Sequence, residues 1–196
     1  AGRNFVITGH EAEVGPDQST VTLTGDVRLT ASDGLTAHAG SASYSDGEGV
    51  VRAPGPGEFA RARLSGAGVG MSYDKNRDVL WLLDKALIRL APDAAGTGGI
   101  EVTAGAAGLA RQEKYLRFER GVTMLRSGQV VESDQALAFL SDDEQRIEAI
   151  ELRGNSRIRA PGGAAGTLQA MNARDINLAY GPEAALLQHA TLAGGA

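Results

Sequence analysis

The sequence feature that most constrains the fold is a strand–turn–strand unit that recurs along the chain. Its clearest copy covers residues 21–44, VTLTGDVRLTASDGLTAHAGSASY. Apolar and polar residues alternate in its first half, and successive side chains of a strand point to opposite faces, so this half predicts a half-buried strand. Ser32-Asp33-Gly34 is a turn signal, and alternation resumes from Leu35 to Tyr44. The segment therefore predicts a β-hairpin.

Copies of this unit extend over nearly the whole chain. An apolar strand start follows a polar or glycine-rich turn at Val21, Val51, Leu80, Leu116, Ile150 and Leu187. The match is closest between LTGDVRL at 23–29 and LRGNSRI at 152–158. One such unit cannot bury its apolar face alone, but stacked units can. We predict an all-β chain of about six hairpin-like units, in a single domain over 1–196 with a weak division near 93–99.

Two architectures fit such a repeat, a β-solenoid and a curved antiparallel jelly roll. Hairpin turns favour antiparallel pairing and hence the jelly roll. Segment 54–57, with two prolines, reads as an edge, a bend or a loop. Residues 130–139 fit the repeat as one strand, residues 184–190 have only weak helical spacing, and 161–166 is a glycine-rich joint. We expect 190–192 to be an open edge strand.

Composition and spacing argue against catalysis. The chain has no cysteine and a net charge of −5, which speaks against thiol chemistry, cysteine metal sites and a nucleic-acid surface. Its three histidines are isolated in sequence, so no metal site is expected. The acidic run Asp142-Asp143-Glu144 is expected to be a solvated turn. We predict no enzyme activity, no catalytic residue and no cofactor.

A resemblance enters through three segments, 21–44, 66–90 and 136–158. Their common motif is a loose one: apolar alternation, then G-(D/N)-V-x-(L/I), as in GDVRL at 25–29, and then A-x-x-x-x-Y, as in AGSASY at 39–44. This pattern resembles the periplasmic bridge family of lipopolysaccharide export, the OstA/LptA/LptC-like domains. The run G-x-G-x-x-Y-D at Gly68 to Asp74 favours the LptC-like branch.

The resemblance implies an open, V-shaped or twisted β-jelly roll with an apolar interior groove. Such a protein would conduct lipopolysaccharide or a related glycolipid from the inner to the outer membrane without making or breaking bonds. Its expected partners are other bridge proteins or further copies, joined by edge-strand addition, and an inner-membrane transporter complex. The expected location is the periplasm, with an inner-membrane anchor outside this sequence as an open alternative.

The residues predicted to line the groove are the apolar ones that share one parity in the repeated strands. They are Val21, Leu23, Val27, Leu29, Leu80, Leu82, Ile88, Leu116, Phe118, Val122, Met124, Ile150, Leu152 and Ile158. Their alternation comes from the sequence, whereas the groove comes from the resemblance. A groove of aliphatic side chains offers non-directional contact along which an acyl chain can slip.

Two alternatives remain open, a structural or adhesive β-repeat protein with a filled core and a carbohydrate-active β-helix enzyme. Tyr44, Tyr73 and Tyr180 are expected to pack at strand ends. The middle of the chain is modestly basic, and we expect a solvated strand face there, with contact to lipid phosphates as the alternative. Its cations are Arg61, Arg63, Arg111, Lys114, Arg117, Arg120 and Arg126.

Overall fold

A computed structural model describes residues 4–16, 18–144, 146–160, 170–181 and 187–195. The described residues form strands and turns and no helix, and so none of them provides a helix able to cross a membrane. The strands are β1 (Phe5–Thr8), β2 (Glu11–Val14), β3 (Thr20–Ala31), β4 (Thr36–Ser45), β5 (Val50–Arg61), β6 (Leu64–Asp74), β7 (Val79–Leu90), β8 (Ile100–Ala110), β9 (Tyr115–Arg126), β10 (Gln129–Ser133), β11 (Gln135–Leu140), β12 (Ile147–Arg159), β13 (Ala170–Tyr180) and β14 (Leu187–Ala193).

All of these strands belong to one antiparallel sheet, ordered β1-β3-β4-β5-β6-β7-β8-β9-β10-β12-β13-β14. β2 also pairs with β3, and β11 pairs with β9 and β12, so each of these short strands continues a neighbour that has been interrupted. Consecutive pairing by hairpins excludes the β-solenoid, whose coils would stack in parallel. The predicted all-β antiparallel jelly roll is confirmed, and its units are the hairpins β2–β3, β4–β5, β6–β7, β8–β9, β11–β12 and β13–β14.

A line of bulges crosses the sheet halfway along the strands. In β3, β7, β9 and β12 one extra residue interrupts the register, at Gly25-Asp26, Asp84-Lys85, Arg120-Gly121 and Gly154-Asn155. Except for Asp84, these residues adopt positive φ angles between 48° and 79°. Bulges with left-handed residues bend a strand and increase its twist. The recurring G-D and G-N pairs are thus the sites at which the sheet bends around its interior.

In β5 the same position is occupied by Pro54-Gly55-Pro56, where the register shifts by one residue. β5 pairs with β4 on one side and with β6 on the other, so this segment is neither an edge nor a loop. A bulge leaves backbone groups outside the ladder, and this is where a sheet tolerates proline. Of the three interpretations of 54–57, only the bend is correct.

The prediction of one strand over 130–139 is wrong, since β10 and β11 are separated at Asp134. The N–H of Asp134 donates to Gly154 O at 2.9 Å, and its carbonyl accepts from Gly121 N at 3.0 Å. Asp134 therefore bridges the bulges of β9 and β12. Residues 187–190 belong to β14, whereas 184–186 and the joint 161–166 lie outside the described residues. The sheet continues across 93–99, because β7 pairs with β8; the single domain stays a prediction.

Candidate functional site: the interior of the roll and its seam

The interior of the roll carries all the residues predicted to line a groove. Twelve of the fourteen are buried, among them Leu82 at 1 % and Phe118 at 1 % relative exposure. The other two, Val21 and Leu23, are half-buried at the start of β3. The alternation thus places these residues on one face, and their contact with lipid remains a prediction.

The filling of the interior leaves two hollows. Large side chains and alanines are buried in both halves of the sheet, with Phe59 and Met71 in the earlier strands and Phe118 and Met124 in the later ones. Alanines at positions 37, 39, 42 and 53 line a hollow of about 40 Å³ among the earlier strands. A second hollow, beside Phe118, has a volume of about 10 Å³. The roomier end of the interior is therefore the one built from β3 to β7.

An acyl chain needs more room than either hollow provides. Cavities that admit a benzene molecule have volumes of about 150 Å³, and the larger hollow here has about 40 Å³. Interior side chains pack like those of a protein core. A lipid can therefore enter this interior only if the walls of the roll separate. Where they can separate depends on how the roll is closed.

The roll closes where the two rims of the sheet meet. We define the first rim by the connections 32–35, 62–63, 91–99 and 127–128, and the second rim by 46–49, 75–78, 111–114 and 141–144. Because hairpins alternate in direction, these two sets lie at opposite ends of the strands. Side chains of the first rim nevertheless contact side chains of the second, and we call this line of contacts the seam.

The central contact of the seam is an ion cluster around Arg111. This residue belongs to the second rim, and its side chain is 0 % exposed. Its Nη2 donates to the carboxylate of Asp33 on the first rim, 78 residues away. Its Nη1 lies 3.5 Å from Asp78 Oδ1, which accepts a 3.0 Å hydrogen bond from Tyr73 OH. Removing one partner of such a buried pair costs about 3–5 kcal/mol.

A second ion pair lies further along the seam. Arg61, at the first-rim end of β5, donates to Glu144 on the second rim, and the two side chains are 24 % and 14 % exposed. Arg61 Nε also donates to the backbone oxygen of Asp33 at 3.3 Å. The two ion clusters are thus joined through Asp33, and Glu144 is not the solvated turn residue that was predicted.

Aromatic contacts continue the seam in both directions. Phe5, at the first-rim end of β1, packs edge-on against Tyr44 and Tyr73, with ring centroids 6.4 and 6.5 Å apart. At the other end, the guanidinium of Arg126 lies 3.8 Å from the ring centroid of Tyr180. Burial raises the pKa of Tyr180 above its ordinary value. The three predicted strand-end tyrosines all contact the opposite rim.

The expectation of a solvated basic face is wrong for three of its members, Arg61, Arg111 and Arg126. Arg111 and Arg126 are buried, and Arg61 is mostly covered by its pairing with Glu144. Repeat spacing identifies them as strand-end residues, but it does not tell which turn of the opposite rim they face. Which turns face each other depends on how far the sheet coils, and no local sequence pattern determines this. The one sequence feature that could have indicated the seam is an arginine beside each of three turns.

Other titratable groups do not converge on a reactive site. Within the described ranges, no three His, Cys, Asp or Glu side chains are grouped as a metal site would require. His38 contacts Asp26 Oδ1 at 2.6 Å on the outer face, and this hydrogen bond, with that from Arg28, lowers the pKa of Asp26. Asp142 is exposed, and its pairing with Lys114 lowers the pKa of its carboxyl.

The comparison with family models agrees with the resemblance seen in the sequence. Residues 2–91 match the family described as "Lipopolysaccharide-assembly, LptC-related". Among solved structures, the chain is similar to LptH, the LptA-homologous periplasmic component of the lipopolysaccharide transport device of Pseudomonas aeruginosa. The two share 15 % identity with a TM-score of 0.46, over 55 % of this chain and 76 % of that chain. No curated protein matches.

Proposed function

Because the chain is LptC-like over residues 2–91, we propose that it is a non-enzymatic bridge component of lipopolysaccharide transport. The interior of the roll would hold the acyl chains of lipopolysaccharide or a related glycolipid. The observation that carries this proposal is the single apolar cluster that runs without a break from Val27 in β3 to Leu178 in β13. An apolar lining exerts no directional pull, so a chain held there can move along it.

Entry of the lipid would take place through the seam. A lipid with several acyl chains cannot thread into the closed interior from one end, since the hollows are small. The seam contacts are side-chain contacts, whereas the described strands are joined to one another by backbone ladders. Side-chain contacts can part without breaking the sheet, and the polar headgroup would then stay at the seam while the chains enter.

Partners would bind at the ends of the strand order. Among the described residues, β14 pairs only with β13, and its residues range from half-buried to exposed. At the other end, β1 and β2 pair only with β3. Unpaired backbone groups on an edge strand can accept a further strand. Addition of another bridge protein or another copy would extend the apolar interior towards the outer membrane, and the periplasm is the compartment that this role implies.

The test is site-specific photocrosslinking to lipopolysaccharide in the folded protein. One probe replaces Leu82, which is 1 % exposed and faces the interior. The matched control replaces Arg28, whose side chain is 67 % exposed on the outer face. We expect a lipid adduct at position 82 and none at position 28. A folded protein that gives no adduct at position 82 contradicts transport and leaves the filled structural repeat.

A further inference from the structure

The seam contains a buried guanidinium that is only partly satisfied. The side chain of Arg111 is 0 % exposed, and its Nη2 donates to Asp33. Its Nε and Nη1 atoms are buried and form no hydrogen bond with the described residues, although Nη1 lies 3.5 Å from Asp78 Oδ1 in an ion pair. A buried donor without an acceptor is costly, so the occurrence of two on one side chain requires an explanation.

The apolar hollow of about 40 Å³ is lined by residues that neighbour the partners of this guanidinium. Its lining includes Leu35, Tyr73 and Leu80, and each is tied to the carboxylates around Arg111. The N–H of Leu35 donates to Asp33 Oδ1 at 3.2 Å, and Tyr73 OH donates to Asp78 at 3.0 Å. Leu80 lies two residues after Asp78, at the start of β7. A buried cationic group is thus separated from an apolar hollow by one layer of residues that contact its carboxylate partners.

We propose that Arg111 is the headgroup-recognition residue of the interior and binds the phosphate of a phosphorylated amphiphile when the seam opens. A guanidinium presents its donors as a planar fork that matches phosphate oxygens two at a time. In the closed roll the Asp33 carboxylate accepts the hydrogen bond from Arg111 Nη2 that a phosphate oxygen would accept when the seam is open. This inference rests on the proposed function, since it assigns a headgroup chemistry to the same interior.

Arg61 supports the same assignment. Its Nε donates to the backbone oxygen of Asp33 at 3.3 Å, so two guanidiniums contact one first-rim residue. Displacing the Asp33 carboxylate would make Arg111 available to the incoming anion, with Arg61, which is paired with Glu144, as a second cation on the same rim residue. The chain of the amphiphile would occupy the alanine-lined hollow, which widens as the rims separate. A neutral amphiphile would gain the apolar contact but not the charged one.

The test compares three probes by isothermal titration calorimetry at low salt, below their micelle concentrations: dodecyl phosphate, the neutral dodecyl glucoside, and inorganic phosphate. Wild-type protein should bind dodecyl phosphate about tenfold or more tightly than the glucoside, the value of a charge-assisted hydrogen bond. Inorganic phosphate should bind far more weakly than dodecyl phosphate, because it lacks the apolar chain. Equal affinity for the two phosphates, or equal affinity for the two amphiphiles, overturns the proposal.

Two substitutions distinguish phosphate recognition by Arg111 from the alternative that the Arg111–Asp33 pair only holds the seam closed. Asp33→Asn keeps the Oδ1 acceptor for Leu35 but removes the competing charge, so the affinity for dodecyl phosphate should rise several-fold. Both variants weaken the seam and can therefore change the affinities for both amphiphiles, so the ratio of the two affinities is the readout. Arg111→Met should abolish the preference for dodecyl phosphate over the glucoside, whereas Asp33→Asn should increase it. If Arg111 only holds the seam closed, the ratio stays at the wild-type value in both variants, and that result refutes the proposal.

Two further controls keep the outcome readable. Arg111→Met leaves two buried carboxylates without their cation, so the double variant Asp33→Asn/Arg111→Met is measured beside it, and thermal unfolding confirms that both fold. Crosslinking of lipopolysaccharide at Leu82 reports the proposed function separately. An adduct at Leu82 without a phosphate preference refutes only the role of Arg111, whereas a phosphate preference without the adduct refutes only the transport.

Discussion

Neighbouring leucines in β7 provide a direct test of the strand parity on which the interior depends. Leu82 is 1 % exposed and faces the interior, whereas Leu83 is 49 % exposed on the outer face beside the bulge. Leu→Ala removes the same atoms at both positions. The substitutions Leu82→Ala and Leu83→Ala are therefore chemically identical and differ only in the face of the sheet.

The expected cost at Leu82 has two parts. Three buried carbon groups at about 0.8 kcal/mol each give about 2.4 kcal/mol of lost transfer free energy. The cavity left in a close-packed interior adds to this, and measured Leu→Ala changes in cores range from about 2.7 to 5 kcal/mol. We expect about 3–4 kcal/mol for Leu82→Ala, and less than about 1 kcal/mol for Leu83→Ala, as is usual for surface substitutions.

Urea unfolding followed by circular dichroism measures both values, and the single tryptophan, Trp81, gives an independent fluorescence signal from the same strand. Equal costs at the two positions would refute the assigned parity. A cost at Leu82 close to the transfer value alone would show that the interior relaxes around the lost atoms. Such relaxation would indicate a softer interior that opens more easily than the close packing suggests.

Three further predictions concern the bulges and the seam. Gly121 and Gly154 both have φ angles near 77°, so alanine strains the backbone similarly at the two positions. Only at Gly154 would the added Cβ also collide with Asp134. Gly154→Ala should therefore destabilise the protein by about 1 kcal/mol more than Gly121→Ala in urea unfolding; equal costs would contradict this. Asp175 accepts a hydrogen bond from Gly154 N–H, which lowers its pKa, so its stabilisation is present above the ordinary carboxyl pKa and lost as pH falls below about 4. Acid titration of unfolding in wild type and Asp175→Asn checks this, and an unchanged acid slope would refute it. The cysteine-free chain also allows cysteines at Asp33 and Arg111 to be joined by a bis-methanethiosulfonate linker, which should abolish the lipopolysaccharide adduct at an interior probe until reduction; an adduct in the linked protein would rule out entry through the seam.

The sequence predicts the strands because each strand carries its own information. Alternation shows which residues of β3, β7, β9 and β12 share a face, and the turns mark the second-rim hairpins to within a few residues. Even the bulges leave a trace, since Gly25-Asp26 and Gly154-Asn155 are the repeated G-D and G-N pairs. Residues that tolerate left-handed angles were visible at these positions, but their meaning as a common bend line required the register of neighbouring strands.

The seam could not be predicted from the same patterns, because its contacts join residues that no repeat relates. Asp33 and Arg111 come from turns on opposite rims, and the cysteine-free sequence offers no covalent link between them. Which turns meet is decided by the coiling that the whole bend line accumulates. A charged residue at a strand end normally predicts solvent, and here coiling brings a second rim over it. The burial of the seam arginines points to a role other than stability. Burying a guanidinium costs free energy, and a few aliphatic residues would have closed the roll at lower cost. Among the described residues, the seam is the wall held by side chains, and arginines there are what a wall that opens around an anionic headgroup would require.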